Sequence, residues 1–207
     1  MRIPFNNIVK FIILQSNKLK IDESHSLHHA LNTLDYTKQI FNAEVKNYPY
    51  IDKQQKVIYT SALLHDMCDS KYTDSNINEL DNINKFLIEN KYNKNEARTI
   101  CDIIDYMSYS KVIKYGYPNM KEYQTSYHIV READLLCGCD FNRAILFGIH
   151  QHNLSYIDSF YDSKKIYKER INNIINKNMF VTAFGQSLIN SLYEKELNKI
   201  DNLEDML

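Results

Sequence analysis

Apolar residues recur at steps of three and four through most of this chain, the spacing that gathers them onto one face of an α-helix. Only four glycines and three prolines interrupt the rhythm. The chain therefore reads as all-α, with helices predicted near 5–19, 26–45, 52–69, 76–90, 94–108, 120–137, 140–154, 160–177 and 181–202. Helix-start residues support several of these. Asp22 and Ser24 precede the second helix, Asp52 the third, Asn93 with Glu96 the fifth and Asp140 the seventh. Pro49 and Pro118 fall between helices, where a missing N–H costs little. The stretch 108–119, holding Gly116 and Pro118, is the most loop-like in the middle of the chain and suits the rim of a pocket. The acidic tail 201–207 is expected to fray. No long linker or internal repeat divides the 207 residues, so one domain over 1–207 is expected.

Composition narrows the function classes. Lys plus Arg number 25 against 26 for Asp plus Glu, a formal charge of -1 that leaves no bulk footprint for nucleic acid or an anionic membrane. The apolar run Phe11-Ile-Ile-Leu14 is too short to span a bilayer and has no small-residue cleavage site after it, so neither export nor anchoring is expected. Cys68, Cys101, Cys137 and Cys139 form no Cys-x-x-Cys pair, and we read them as reduced thiols of a cytoplasmic compartment, a host's if the source is viral. The abundance of Asn, Ile, Lys and Tyr reflects an A+T-rich genome. No glycine-rich phosphate loop, Gly-x-Ser-x-Gly or dinucleotide fingerprint occurs.

The chemistry gathers at His65 and Asp66, adjacent in the apolar stretch Tyr59-Thr-Ser-Ala-Leu-Leu-His-Asp-Met. Burying a carboxylate without compensation costs several kcal/mol, and a divalent cation is the simplest compensation. His29 lies upstream in His25-Ser-Leu-His-His-Ala-Leu, and Asp134 downstream in Arg131-Glu-Ala-Asp-Leu-Leu. Two imidazoles and two carboxylates suit a six-coordinate Mn²⁺, Fe²⁺, Co²⁺, Ni²⁺ or Mg²⁺ better than closed tetrahedral zinc. Six coordination leaves about two open positions, enough to activate a water and polarise a phosphoryl oxygen.

The ordered set His…His-Asp…Asp, each member in apolar helical context, resembles the HD-domain metal-dependent phosphohydrolase superfamily over roughly residues 20–150. The strings His65-Asp-Met-Cys-Asp-Ser-Lys-Tyr72 and Ile103-Ile-Asp-Tyr-Met-Ser-Tyr-Ser-Lys111 look most like its small nucleotide pyrophosphohydrolase subgroup. The resemblance implies an HD-type bundle of about nine helices, with the helices over 160–202 packed on the motif-bearing core. It implies His29, His65, Asp66 and Asp134 as ligands of one divalent metal ion, Mn²⁺ foremost.

Around that site, Asp69 stands one turn after Asp66 as candidate general acid or base. Lys71 either neutralises phosphate charge or complements a helix C-terminus. Arg131, three residues before Asp134, suits either phosphate binding or an ion pair with a ligand carboxylate. His25, one turn before His29, is expected to touch substrate or orient the ligands, and Lys111 with Ser108 to lie near the phosphates. The substrate implied is a small nucleotide, a base of which could stack on one of the tyrosines 72, 106, 109, 115, 117, 123 and 127. His128 with Glu132 reads as a local pair, and His150 with His152 as surface residues. The expected protein is a monomer or homodimer with no nucleic-acid or membrane partner. The competing expectation is a non-catalytic HD-fold nucleotide-binding or scaffold protein.

Overall fold

The computed structural model describes residues 3–68 and 79–207. Among these residues the chain is helical, without strands: α1 (Phe5–Leu19), α2 (Leu27–Glu44), α3 (Gln55–Leu64), α4 (Glu79–Glu89), α5 (Lys94–Tyr106), α6 (Tyr109–Tyr115), α7 (Gln124–Cys137), α8 (Phe141–His152), α9 (Tyr156–Asn176) and α10 (Ala183–Glu204). None is long and apolar enough to cross a membrane.

The centre of the fold is α7, which packs against α2, α3 and α10. Nearly every residue from Ser126 to Cys137 on it is buried, so its apolar positions run all around the helix instead of forming one stripe. On α2 the buried positions follow a stripe through His29, Ala30, Thr33, Thr37, Ile40 and Phe41. Two polar members of that stripe have partners: Thr37 donates to the Thr33 carbonyl at 2.7 Å, and Thr33 to the Cys137 sulfur of α7 at 3.5 Å. Burial pushes the Cys137 and Cys139 thiols up to about 12, which keeps them protonated and chemically quiet.

Two charged residues of α7, Arg131 and Glu132, are completely buried. Such a pair persists only with further hydrogen bonds around it. The Arg131 guanidinium donates to the Met179 carbonyl at 2.6 Å and to Glu132 at 3.1 Å, with its face against the Tyr117 ring. Glu132 accepts from the Val181 and Thr182 backbone N–H groups and from the Thr182 hydroxyl. Thr182 is the N-cap of α10, so this carboxylate ties the start of α10 to the core helix.

Boundaries differ from expectation where side chains compete with the backbone. The third helix, predicted over 52–69, begins as a 3-10 turn at Pro49–Gln54 and closes at Leu64. The His65 imidazole Nδ1 donates to the Ala62 carbonyl at 2.8 Å, taking up the acceptor that a continuing helix would offer to Asp66. The stretch read as loop-like contains α6, because Ser108 caps it by accepting the Lys111 N–H and Gly116, at φ 76°, ends it. The capping box at Asn93 and Glu96 forms as predicted. The tail does not fray at 201: α10 continues to Glu204, whose carboxylate pairs with Lys164 of α9.

α8 and α9 pack closely, and Gly148 permits it. A Cβ there would stand 2.2 Å from the Ser159 hydroxyl, which donates to the Ile145 carbonyl at 2.7 Å. That contact fixes α9 as a wall of the cavity described next.

Candidate metal centre

Four side chains from three parts of the fold converge: His29 from the first turn of α2, His65 and Asp66 from the turn that closes α3, and Asp134 from α7. The donor atoms of His29, His65 and Asp66 all lie within 4.8 Å of one another. Asp134 is not in that tightest set, yet its Oδ1 lies 3.2 Å from His29 Nε2 and 3.4 Å from His65 Nε2. Asp66 Oδ2 is 3.2 Å from both nitrogens, and the two nitrogens face each other at 2.9 Å.

The arrangement fits a cation. With Nδ1–H of His65 committed to Ala62, its Nε2 presents a lone pair in the neutral tautomer, the state that binds a metal. Asp66 Oδ2 is buried without a hydrogen-bond partner although two imidazole nitrogens are near it. A carboxylate oxygen from each of Asp66 and Asp134 and two imidazole nitrogens converge on one point, a donor set that a divalent ion can take up.

Electrostatics agree. Burial opposes charge on His65, but the Asp66 and Asp134 carboxylates outweigh it and hold the imidazole pKa well above its ordinary value. Burial likewise opposes charge on Asp66 and Asp134, and the two imidazoles outweigh it, holding both carboxylates well below the usual range. The cluster demands positive charge, and a proton supplies part of it when no metal does.

His65, Asp66 and Asp134 form one wall of a cavity of about 740 Å³. His25 lines it too, with Nδ1 at 2.5 Å from the Ser24 hydroxyl and its ring against Phe147 and His29. Lys111 lines it but is held by the Asp105 side chain and carbonyl. Of the tyrosines named as stacking candidates, Tyr109 faces this cavity. Tyr127 is buried, with its hydroxyl donating to the Tyr106 carbonyl, and Tyr117 covers Arg131.

Two expectations fail. Arg131 neither lines the cavity nor reaches Asp134, because its guanidinium turns to Met179 and Glu132 beneath α10. His128 does not pair with Glu132; it meets Gln124 at 3.0 Å, while Glu132 serves Thr182. Asp69, Lys71 and Tyr72 lie outside the described residues. Residues the sequence reading passed over are Arg143, Arg170 and Phe147, which line the cavity with His152. The helical register of Arg143 after the Asp140 cap was a readable signal, whereas Arg170 reaches the cavity only through the α8–α9 packing.

Compared with protein-family models, curated proteins and solved structures, the chain finds no match.

Proposed function

We propose that this chain is a metal-dependent phosphohydrolase with an HD-type helical core, acting on a small nucleotide at a phosphoanhydride or phosphate ester. The observation that carries the proposal is the convergence of His29, His65, Asp66 and Asp134 beside a cavity large enough for an organic phosphate. When bound, a divalent ion, Mn²⁺ foremost, supplies Lewis acidity there: it lowers the pKa of water and screens phosphoryl charge. The chain's own residues do the rest. His65 is held in its ligating tautomer by Ala62, and His25 is oriented toward the substrate by Ser24. Asp69, three residues after Asp66, handles the proton of the attacking water, and Lys71 offsets charge on the departing group. The apolar side chains Ile104, Met107 and Phe147 of the cavity limit competing water.

The test is product release from a nucleotide panel by protein loaded in turn with Mn²⁺, Co²⁺ and Mg²⁺. Turnover abolished by Asp69→Ala, with bound metal and Tm unchanged, is the expected result. A folded, metal-loaded protein without turnover on any nucleotide would leave a binding or scaffold role in its place.

A further inference from the structure

Asp22, Ser24 and His25 form a line whose protons can be counted. Ser24 is buried, and its Oγ lies 2.5 Å from Asp22 Oδ1 and 2.5 Å from His25 Nδ1. Polar atoms that close must share a proton in each contact, and the hydroxyl owns only one. Asp22 does not give the second, because its carboxylate accepts on both oxygens: Oδ1 takes the Ser24 N–H at 2.8 Å and Oδ2 the Gln151 side-chain amide at 2.7 Å. The hydroxyl proton therefore goes to Asp22, and the second proton belongs to His25 Nδ1. In the neutral ring Nε2 is then the nitrogen with the lone pair.

The helix α8 holds this line in place. Arg143, Phe147 and Gln151 stand at i, i+4 and i+8, on one face of α8, and each meets a different member. Arg143 Nε donates to the Ser24 carbonyl at 2.8 Å, Gln151 donates to Asp22, and the Phe147 ring lies edge-on to His25 with centroids 5.7 Å apart. The His25 ring is also edge-on to His29, at 6.1 Å between centroids, and lines the cavity with His65, Asp66 and Asp134.

We propose that Asp22, Ser24 and Gln151 are positioning residues that fix His25 as its Nδ1–H tautomer, so that Nε2 accepts a hydrogen bond from an O–H or N–H group of the bound molecule. The opposite tautomer would make the same position a donor toward phosphate oxygens. That the bound molecule is a nucleotide rests on the phosphohydrolase reading, whereas the tautomer does not.

Nitrogen-15 spectra of the protein loaded with diamagnetic Mg²⁺ read the tautomer of each histidine, and the His25→Gln spectrum assigns the signal. At a pH where the ring is neutral, His25 is expected with Nδ1 protonated and Nε2 bare. Ser24→Ala is expected to lose that preference and populate Nε2–H, and Ser24→Thr to keep it; if Ser24→Ala does not fold, the wild-type spectrum decides alone. On titration with the α,β-methylene diphosphates of adenosine and guanosine, the Nε2 resonance is expected to shift while Nδ1 stays protonated. Nε2–H as the majority wild-type form, or an unchanged tautomer in folded Ser24→Ala, overturns the positioning. A bound analogue that leaves Nε2 unmoved overturns the acceptor role. No binding of either analogue, with the tautomer as expected, upholds the positioning and counts against the phosphohydrolase reading.

Discussion

Nε2 of His29 stands 2.9 Å from Nε2 of His65, and the opposite ring nitrogen of His65 donates to the Ala62 carbonyl at 2.8 Å. Two nitrogens so placed, with carboxylates on the same point, need a positive charge between them.

Chelation should destabilise the protein more at about pH 8.5 than at about pH 6. The His65 pKa is raised in the folded cation-free chain, so the stability it lends is fully present below its unfolded value and is lost as pH rises through the folded one. Asp66 and Asp134 are depressed, so their contribution is present above the unfolded carboxylate value and is lost only as pH falls through the folded values. Thermal melts with and without a chelator at the two pH values measure the difference.

Replacing a ligand should remove the metal. Asp66→Asn and His65→Gln are each expected to weaken Mn²⁺ binding more than about a hundredfold, since even partners behind the ligands cost roughly 10–100-fold. Metal content after dialysis gives the result directly.

Arg131 should matter to folding and leave the metal alone. Arg131→Met strands the buried Glu132 charge beside Thr182, a loss of about 3–5 kcal/mol by denaturant unfolding. Mn²⁺ affinity of the folded variant should match the wild type; a fall of more than about tenfold would return Arg131 to the site.

His128 should make stability acid-sensitive. Burial, then the Arg131 charge, lower its pKa to about 4. Below an unfolded value near 6.5 the unfolded chain takes up a proton that the folded chain refuses, so stability declines from about pH 6.5 down to about pH 4. The decline is on the order of 3 kcal/mol, and unfolding curves of His128→Gln should lack that part of the slope.

Gly148→Ala should loosen the α9 wall. The added carbon meets the Ser159 hydroxyl at 2.2 Å, so that hydroxyl must leave the Ile145 carbonyl or α8 and α9 must part, at a cost of about 1–3 kcal/mol. Nucleotide binding should weaken while Mn²⁺ binding persists, as two titrations on one sample would establish.

Much of this was legible in the chain. Three- and four-residue apolar spacing placed nearly all the helices. The resemblance of the ordered His and Asp residues to the HD-domain superfamily pointed to His29, His65, Asp66 and Asp134, which the fold brings together. What escaped depended on tertiary competition. The early end of α3 follows from an imidazole taking a backbone acceptor, and the small helix α6 from a serine cap and a glycine stop. Arg131 looked like a site residue because it shares a face with Asp134 in sequence spacing. The α9–α10 connection draws its guanidinium the other way, and no local pattern encodes that. Arg170 was invisible for the same reason, since only the packing of α8 on α9 brings it beside Gly138.

The central claim is that His29, His65, Asp66 and Asp134 hold one divalent ion. Calorimetric titration of chelator-stripped protein with Mn²⁺ tests it most directly. One ion per chain in the wild type and none in an Asp66→Asn, Asp134→Asn double variant that remains folded is the predicted result. No binding to the wild type, or unchanged binding to the double variant, would contradict it.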